Sequence, residues 1–146
     1  MKSISKIWLA AGVLISTLSC SNKPQPIDYG NDGCHYCKMT IVDKLHAAEL
    51  VTQKGKVYKF DASECMIRYL EENPAVTYAT LVTNYYEAPR EFVASEAAFY
   101  LISPSLPSPM GANLTAFKNK DIALGLMAEK GGQLYTWSQL KVHLEY

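Results

Sequence analysis

Residues 34–39, CHYCKM, place the sulfur atoms of Cys34, Cys37 and Met39 within one short segment. Cysteine thiolates bind soft metal ions, and they are also the reactive groups of redox enzymes. Four chemistries therefore compete for this segment: a redox dithiol, a structural disulfide, a zinc site and a soft-metal site.

Two of these alternatives join the cysteines covalently. A redox dithiol of the thioredoxin kind follows a strand and begins a helix, whereas Cys34 and Cys37 precede residues 40–42, Thr-Ile-Val, which favour a strand. This position disfavours a thiol–disulfide oxidoreductase, which remains the enzymatic alternative. A structural lipoprotein with a Cys34–Cys37 disulfide is another alternative, although so short a loop adds little stability.

A zinc site would use the CxxC pair as half of a four-ligand set. Cys65 could supply a third ligand, but the sequence contains no second paired motif. A histidine ligand would have to come from one of three positions: His35, His46 or His143.

The methionines favour copper. On an extended chain, residues two apart point to the same face, so the Cys37 thiolate and the Met39 thioether could bind one ion. A thioether suits Cu(I) and has little affinity for zinc. Met110, on the irregular SPMG loop, is a candidate third sulfur ligand. Cys34 is a further candidate, whereas Cys65 is more typical of a small buried core residue.

The N-terminus predicts export and lipid anchoring. Residues 1–19 place two lysines before the apolar run IWLAAGVLISTL, which is too short to cross a bilayer and is typical of a signal peptide. The following Cys20 completes a segment that resembles a bacterial lipobox, and ordinary cleavage with a free Cys20 is the alternative. We expect a protein anchored by lipid at Cys20, outside the cytoplasm on the periplasmic face of the inner or outer membrane. Residues 20–33 are predicted to form a flexible tether.

The remaining chain, residues 34–146, has the size of one domain. Its strand-like segments are KMTIV, HAAELVT, KVYKF and TYATLVT in the first half, followed by EFVASEAAFYLI as a broken strand or a hairpin, and then NLTAF and QLYTW. Asp61 and Glu64 resemble a capping box that begins one helix, and Asn119 is expected to cap another over residues 120–130. We predict an α+β fold of two packed strand-strand-helix-strand units, about 34–90 and 91–146. With 14 basic and 14 acidic residues and no charged block, nucleic-acid binding is not expected.

In their order and spacing these motifs resemble the NosL family, copper-binding lipoproteins associated with the maturation of nitrous oxide reductase. The resemblance includes the lipobox, CHYCKMTIVD, AAEL, VYKFDASECM and SPMGANLTAF. It implies Cu(I) binding by Cys37, Met39 and Met110, and a fold of two related halves similar to part of organomercurial lyase. Many members have one cysteine in this motif, so the additional Cys34 could be a ligand, a redox partner or a packing residue.

We therefore expect a Cu(I) metallochaperone that is not an enzyme and that delivers copper outside the cytoplasm. The resemblance implies that the receiving protein is nitrous oxide reductase or another cuproenzyme. A homodimer that shares one ion between two Cys37 residues is an alternative arrangement.

Overall fold

The structure is a computed structural model that describes residues 22–144. The predicted signal peptide, residues 1–19, and the predicted lipidation site, Cys20, lie outside the described residues. From residue 22 to residue 144, none of the helices combines the length and hydrophobicity that crossing a membrane requires.

The first unit is a four-stranded antiparallel sheet with one helix. In chain order its elements are β1 (Ala48–Thr52), β2 (Val57–Phe60), α1 (Ser63–Glu72), β3 (Tyr78–Tyr85) and β4 (Ala88–Ala94). The strand order across the sheet is β2-β1-β3-β4. The central strand, β1, is buried along most of its length because both of its edges are paired and α1 packs against it.

The second unit is a three-stranded antiparallel sheet. Its elements are β5 (Phe99–Ile102), β6 (Leu114–Phe117), α2 (Lys120–Lys130), β7 (Gln133–Thr136) and α3 (Trp137–His143). The strand order is β6-β5-β7, and a short 3-10 turn at Ser95–Ala97 connects the two units.

The two units have the same topology. In each, the chain runs strand, strand, helix, strand, and the spatial order places the first strand between the other two, as β2-β1-β3 and β6-β5-β7. The predicted α+β fold of two strand-strand-helix-strand units is therefore confirmed. β4 is an addition that pairs with β3, and the division predicted near residue 90 falls within this strand.

One main core joins the two units. Leu50 and Phe60 from the first unit are fully buried in the same cluster as Tyr100 and Leu140 from the second. Burial of a large apolar side chain contributes roughly 1.5–3 kcal/mol, so the shared core stabilises both sheets together. Cys34 of the 34–39 segment and Cys65 and Met66 of α1 belong to the same cluster, so both segments pack on the shared core.

Helix boundaries follow the sequence at α2 and depart from it at α1. The Asn119 side chain caps α2 by accepting from the backbone N–H groups of Asp121 and Ile122, at 2.8 and 3.4 Å, which confirms that prediction. The capping box predicted at Asp61 is wrong: α1 has Ala62 at its N-cap, without a side-chain hydrogen bond. The Asp61 carboxylate faces cysteine thiols instead.

The end of the predicted tether is packed on the domain. The Gln25 N–H donates to Glu49 Oε1 at 2.7 Å, the Gly30 N–H donates to the Ile41 carbonyl at 2.8 Å, and Ile27 is buried. Residues 25–33 are therefore part of the folded domain.

Candidate metal centre

The predicted strand over residues 38–42 is replaced by a tight turn at residues 34–39. The Cys34 N–H donates to the Met39 carbonyl at 2.8 Å, and the Lys38 N–H donates to the Cys34 carbonyl at 3.1 Å. Lys38 has a φ of 67°, in the left-handed region, so the extended conformation predicted for residues 37–39 is wrong. The alternation of a strand therefore does not align the Cys37 and Met39 side chains.

A second segment brings two more ligand atoms to this turn. Asp61 lies in the connection between β2 and α1, and Cys65 lies in the first turn of α1. The His35 N–H donates to the Lys59 carbonyl at 2.7 Å, which fixes the 34–39 turn against the end of β2. The turn and the start of α1 consequently face each other.

Four side chains converge where these segments meet, and we call them the Cys3Asp cluster: Cys34, Cys37, Asp61 and Cys65. Their three sulfur atoms and one carboxylate oxygen all lie within 4.8 Å of one another. Four ligands at about 2.3 Å from a tetrahedral metal are about 3.8 Å apart, so the cluster has nearly the dimensions of a metal site. Three members are buried, and Cys37 is half-buried, which makes its sulfur the accessible side of the cluster.

Cys34 has the lowest thiol pKa of the three cysteines in the cluster. The Cys65 thiol donates a hydrogen bond to its sulfur, and the backbone N–H groups of Asp61, Cys37 and Tyr36 add to this effect, which outweighs the opposing effect of burial. Together these donors lower the pKa of the Cys34 thiol to about 6. The sequence favours Cys37 as the anionic copper ligand, and that assignment stays a prediction.

The other two cysteines hold their protons. Burial raises the pKa of Cys37 to about 11, with the neighbouring Cys34 and Asp61 charges acting in the same direction. Cys37 Sγ accordingly donates to Asp61 Oδ1 at 3.5 Å. The hydrogen bond to the Cys34 sulfur raises the pKa of Cys65, as do burial and Asp61. Of the three cysteines, Cys34 is thus the one whose thiol loses its proton most readily.

The two predicted thioether ligands lie in different environments. Met39 immediately follows Lys38 of the turn, and its side chain is 47% exposed. Met110 is half-buried against the main core, on the loop between β5 and β6.

A hydrogen bond connects the Met110 loop to the start of α1. Ser108, two residues before Met110, donates from its hydroxyl to Glu64 Oε1 at 2.5 Å, and both residues are buried. Glu64 immediately precedes Cys65 in α1. The loop that carries the predicted methionine ligand is therefore attached beside one of the cysteines.

The histidines required by the zinc alternative have other contacts. His46 is buried, with its ring nitrogens 3.0 Å from Asp43 Oδ1 and 3.3 Å from Thr115 Oγ1. The His143 ring stacks on Tyr135, and the His35 ring lies against Tyr58. Among residues 22–144, the fourth member of the cluster is Asp61 and not a histidine.

Sequence reasoning missed Asp61 because the spacing of Asp61 and Glu64 matches a capping box. Asp61 and Cys65 are four residues apart across the start of α1, so their side chains can reach one point. This spacing identifies Asp61 as a candidate ligand. That relationship becomes visible only when the true start of the helix is known.

The fold and the cluster define a small α+β domain with a sulfur-rich candidate metal site. The chain belongs to the NosL family, because the NosL family model matches residues 26–144. Among solved structures it is similar to the copper chaperone NosL from Shewanella denitrificans, with a TM-score of 0.70 and 22% identity over 82% of this chain and 96% of that chain. No curated protein matches the chain. The family resemblance stated from the motifs is thus confirmed, and so is the fold.

Proposed function

We propose that this protein is a Cu(I) metallochaperone that holds its cargo through the sulfur atoms of the Cys3Asp cluster. One observation carries the proposal: three cysteine sulfurs converge within 4.8 Å in a chain of the NosL family. Soft thiolates favour Cu(I) over harder ions. The similar protein from Shewanella denitrificans is described as a copper chaperone, which supports copper as the cargo.

The unequal exposure of the ligands suits transfer between proteins. Cys34 and Cys65 are buried, whereas Cys37 is half-buried and can be reached by an incoming ligand of another protein. Met39 is exposed next to the turn, and with Met110 it is the proposed source of neutral sulfur ligands as copper enters or leaves. An accessible coordination position allows ligand exchange, which a closed cage would slow.

Lipid attachment at Cys20 would hold this domain close to a membrane outside the cytoplasm. The Asn22 carbonyl accepts from Thr80 Oγ1 at 3.2 Å, so contact with the domain already exists two residues after the proposed anchor. Each extended residue spans at most about 3.6 Å, which leaves little free chain. We propose an extracytoplasmic cuproenzyme, nitrous oxide reductase by family association, as the recipient.

The exposure and charge of the cysteines argue against the oxidoreductase alternative. A dithiol enzyme attacks its substrate with an accessible thiolate of lowered pKa. Here the lowered pKa belongs to buried Cys34, whereas the accessible Cys37 has a pKa raised to about 11. We expect negligible insulin reduction by the metal-free protein, and efficient turnover would favour the enzyme instead.

Anaerobic competition titration against a Cu(I) chelator tests the carrier function. We expect one Cu(I) per chain by native mass spectrometry, and separate Cys34→Ser, Cys37→Ser and Cys65→Ser variants should each lose about 100-fold or more in affinity. Losing an outer-shell partner alone costs about 10–100-fold, and these residues are proposed as direct ligands.

Methionine variants have a matched control in the same chain. Met39→Leu and Met110→Leu should weaken Cu(I) binding, whereas Met127→Leu should not, because Met127 packs in the separate smaller core. Unchanged affinity in all three serine variants, or no copper retained by the wild type, would rule out the proposed carrier.

A further inference from the structure

We propose that the surface beside Cys37 is a docking site for the acidic face of a copper-accepting protein. This surface, which we call the His35 face, has aromatic rings at its centre and lysines at its edge: His35, Tyr58, Tyr69, Lys38 and Lys56. The docking site rests on the proposed carrier function, and it adds the surface chemistry of the partner.

The centre of the His35 face is a set of three rings in mutual contact. Measured between centroids, the His35 ring lies 4.3 Å from the Tyr58 ring and 5.2 Å from the Tyr69 ring, and the two tyrosine rings are 5.4 Å apart. All three residues are half-buried, so packing holds the rings in place while part of each stays exposed. Tyrosine is enriched at the energetically important positions of protein interfaces, and rings already held in place lose little entropy on binding.

Two lysines place positive charge at the edge of these rings. Lys56 Nζ lies 4.6 Å from the centroid of the Tyr58 ring, and the Lys38 ammonium group donates to the His35 carbonyl. Burial lowers the pKa of His35, and the charges of Lys38 and Lys56 act in the same direction, so both charges are close to this one ring. Both lysines are exposed to solvent and to an approaching protein.

The charges of these lysines are not balanced by ion pairs. Within residues 22–144, neither Lys38 nor Lys56 has a carboxylate partner. The Glu72 carboxylate near the turn accepts from the Tyr36 hydroxyl at 2.6 Å, and the Arg68 guanidinium acts on the same hydroxyl with the opposite charge. Glu72 and Arg68 therefore offset each other, and the His35 face is positively charged.

The positive edge continues into a cleft at the β1–β2 hairpin. Thr52, Lys54, Lys56 and Tyr58 line this cleft, which has a volume of about 330 Å³. Ammonium and hydroxyl groups donate hydrogen bonds to carboxylates, and those from a charged donor are the stronger ones. The cleft is therefore suited to an acidic side chain of the partner.

The position of the His35 face suits copper transfer. His35 and Lys38 lie on either side of Cys37 in the same turn, and Cys37 is the most accessible of the three cluster cysteines. A protein seated on this face would bring its own ligands next to the Cys37 sulfur. Complementary charge between two proteins speeds their encounter and fixes their orientation more than it tightens the complex, which is what a transient transfer complex requires.

Copper transfer to synthetic acceptor peptides tests the charge of the partner. Each peptide contains one Cys-x-x-Cys segment, flanked by glutamates, glutamines or lysines, and is mixed without oxygen with the reduced, copper-loaded full chain in a stopped-flow instrument. At low ionic strength we expect the glutamate peptide to accept copper about 10-fold faster than the glutamine peptide, and the lysine peptide to be slowest. Added salt should remove these differences. Equal rates for the three peptides at low salt overturn the docking site.

Two double variants separate the His35 face from a general effect of net charge. Lys38→Gln/Lys56→Gln and Lys118→Gln/Lys120→Gln remove the same charge, and Lys118 and Lys120 are likewise exposed, each over another aromatic ring. The preference for the glutamate peptide should be lost in the first double variant and retained in the second. Lys56→Gln alone, outside the 34–39 turn, should weaken the preference as well. Equal losses in the two double variants, or retention in both, contradict the assignment.

Chelator competition on the same proteins distinguishes failure of the docking site from failure of the carrier function. Retained Cu(I) affinity with loss of peptide preference in Lys38→Gln/Lys56→Gln supports the docking site. A wild type that retains copper but transfers it equally to all peptides refutes the docking site alone, whereas a wild type that retains no copper refutes both proposals. Binding to phosphatidylglycerol vesicles that requires Lys38 and Lys56, without any peptide preference, would assign the face to anionic lipid and overturn a protein partner.

Discussion

The Cys34 and Cys65 sulfur atoms lie within 4.8 Å of each other, and this approach brings the 34–39 turn to the first turn of α1. It is the main reason that the pKa of Cys34 is lowered while that of Cys65 is raised. The lowered pKa favours the thiolate form of the buried Cys34. If a metal bound all three sulfurs, the other two thiols would release their protons.

The stability of the metal-free protein should rise with pH between about 6 and 9 because of Cys34. Its thiol pKa is near 6 when folded and 9.0 in an ordinary environment, so in this window the unfolded chain holds a proton that the folded protein has lost. Stability therefore increases with pH through the window, and this contribution disappears as pH falls through 6.

Urea unfolding of reduced protein, compared with Cys34→Ser at each pH, measures this contribution. The difference in unfolding free energy between wild type and variant should grow from pH 6 to pH 9. A difference that is independent of pH would show that Cys34 is not ionised in the folded protein.

Much of the fold could be predicted because local signals and tertiary structure agree there. The Asn119 cap and the end of α2 at Lys130 are both present where the sequence places them. The repeat of two units also follows from strand and helix patterns alone. Local propensity is sufficient where no competing contact acts on the same residues.

The candidate site was harder to predict because its residues depart from local rules. Residues 40–42 favour a strand, yet the left-handed Lys38 turns the chain and brings Cys34 and Cys37 to one side. Asp61 has the spacing of a helix cap, yet its side chain contacts thiols. Departures of this kind are typical of functional sites, where tertiary contacts override propensity.

The free energy of unfolding should fall as pH rises from about 4.5 to 7, because Glu49 is buried and has a raised pKa. Burial raises the pKa of its carboxyl from 4.5 to about 7, so within this window the folded protein binds the proton that the unfolded chain releases. Its Oε1 accepts from the Gln25 N–H, and its buried Oε2 has no hydrogen-bond partner.

Glu49→Gln removes this ionisation, so the variant should gain stability relative to the wild type as pH increases through the window. Thermal unfolding across the pH range measures the difference, with exposed Glu96→Gln as the control. Parallel curves for the wild type and Glu49→Gln would contradict the assignment.

Gly132→Ala should destabilise the second sheet strongly. A Cβ at this position would lie 2.2 Å from the Ile102 carbonyl oxygen, and the φ of Gly132 is 108°. Ile102 pairs with Gln133, so the clash falls where β5 meets β7.

Gly131→Ala is the matched control, because its φ of 75° is also left-handed but nothing lies within 4 Å of the point that a Cβ would occupy there. That change should cost about 1–3 kcal/mol from backbone strain alone, because the ψ of −175° at Gly131 adds to the strain of its positive φ. Urea unfolding should show a larger loss for Gly132→Ala, and equal losses would contradict the close approach.

The hydrogen bond from Ser108 to Glu64 should stabilise the protein and should also hold the loop that carries Met110. Ser108→Ala leaves the buried Glu64 carboxyl without this donor, which costs about 1–3 kcal/mol. Ser105→Ala, at an exposed position of the same loop, should have little effect on urea unfolding.

A double-mutant cycle separates this structural cost from an effect on copper. If Met110 is a ligand held in place by Ser108, then Ser108→Ala should weaken Cu(I) binding in the wild-type background but much less in Met110→Leu, because the ligand is already absent. Chelator competition on the four proteins gives the coupling free energy. Additive losses in the cycle would mean that the serine affects copper binding independently of Met110, and that the loop does not position Met110 for copper.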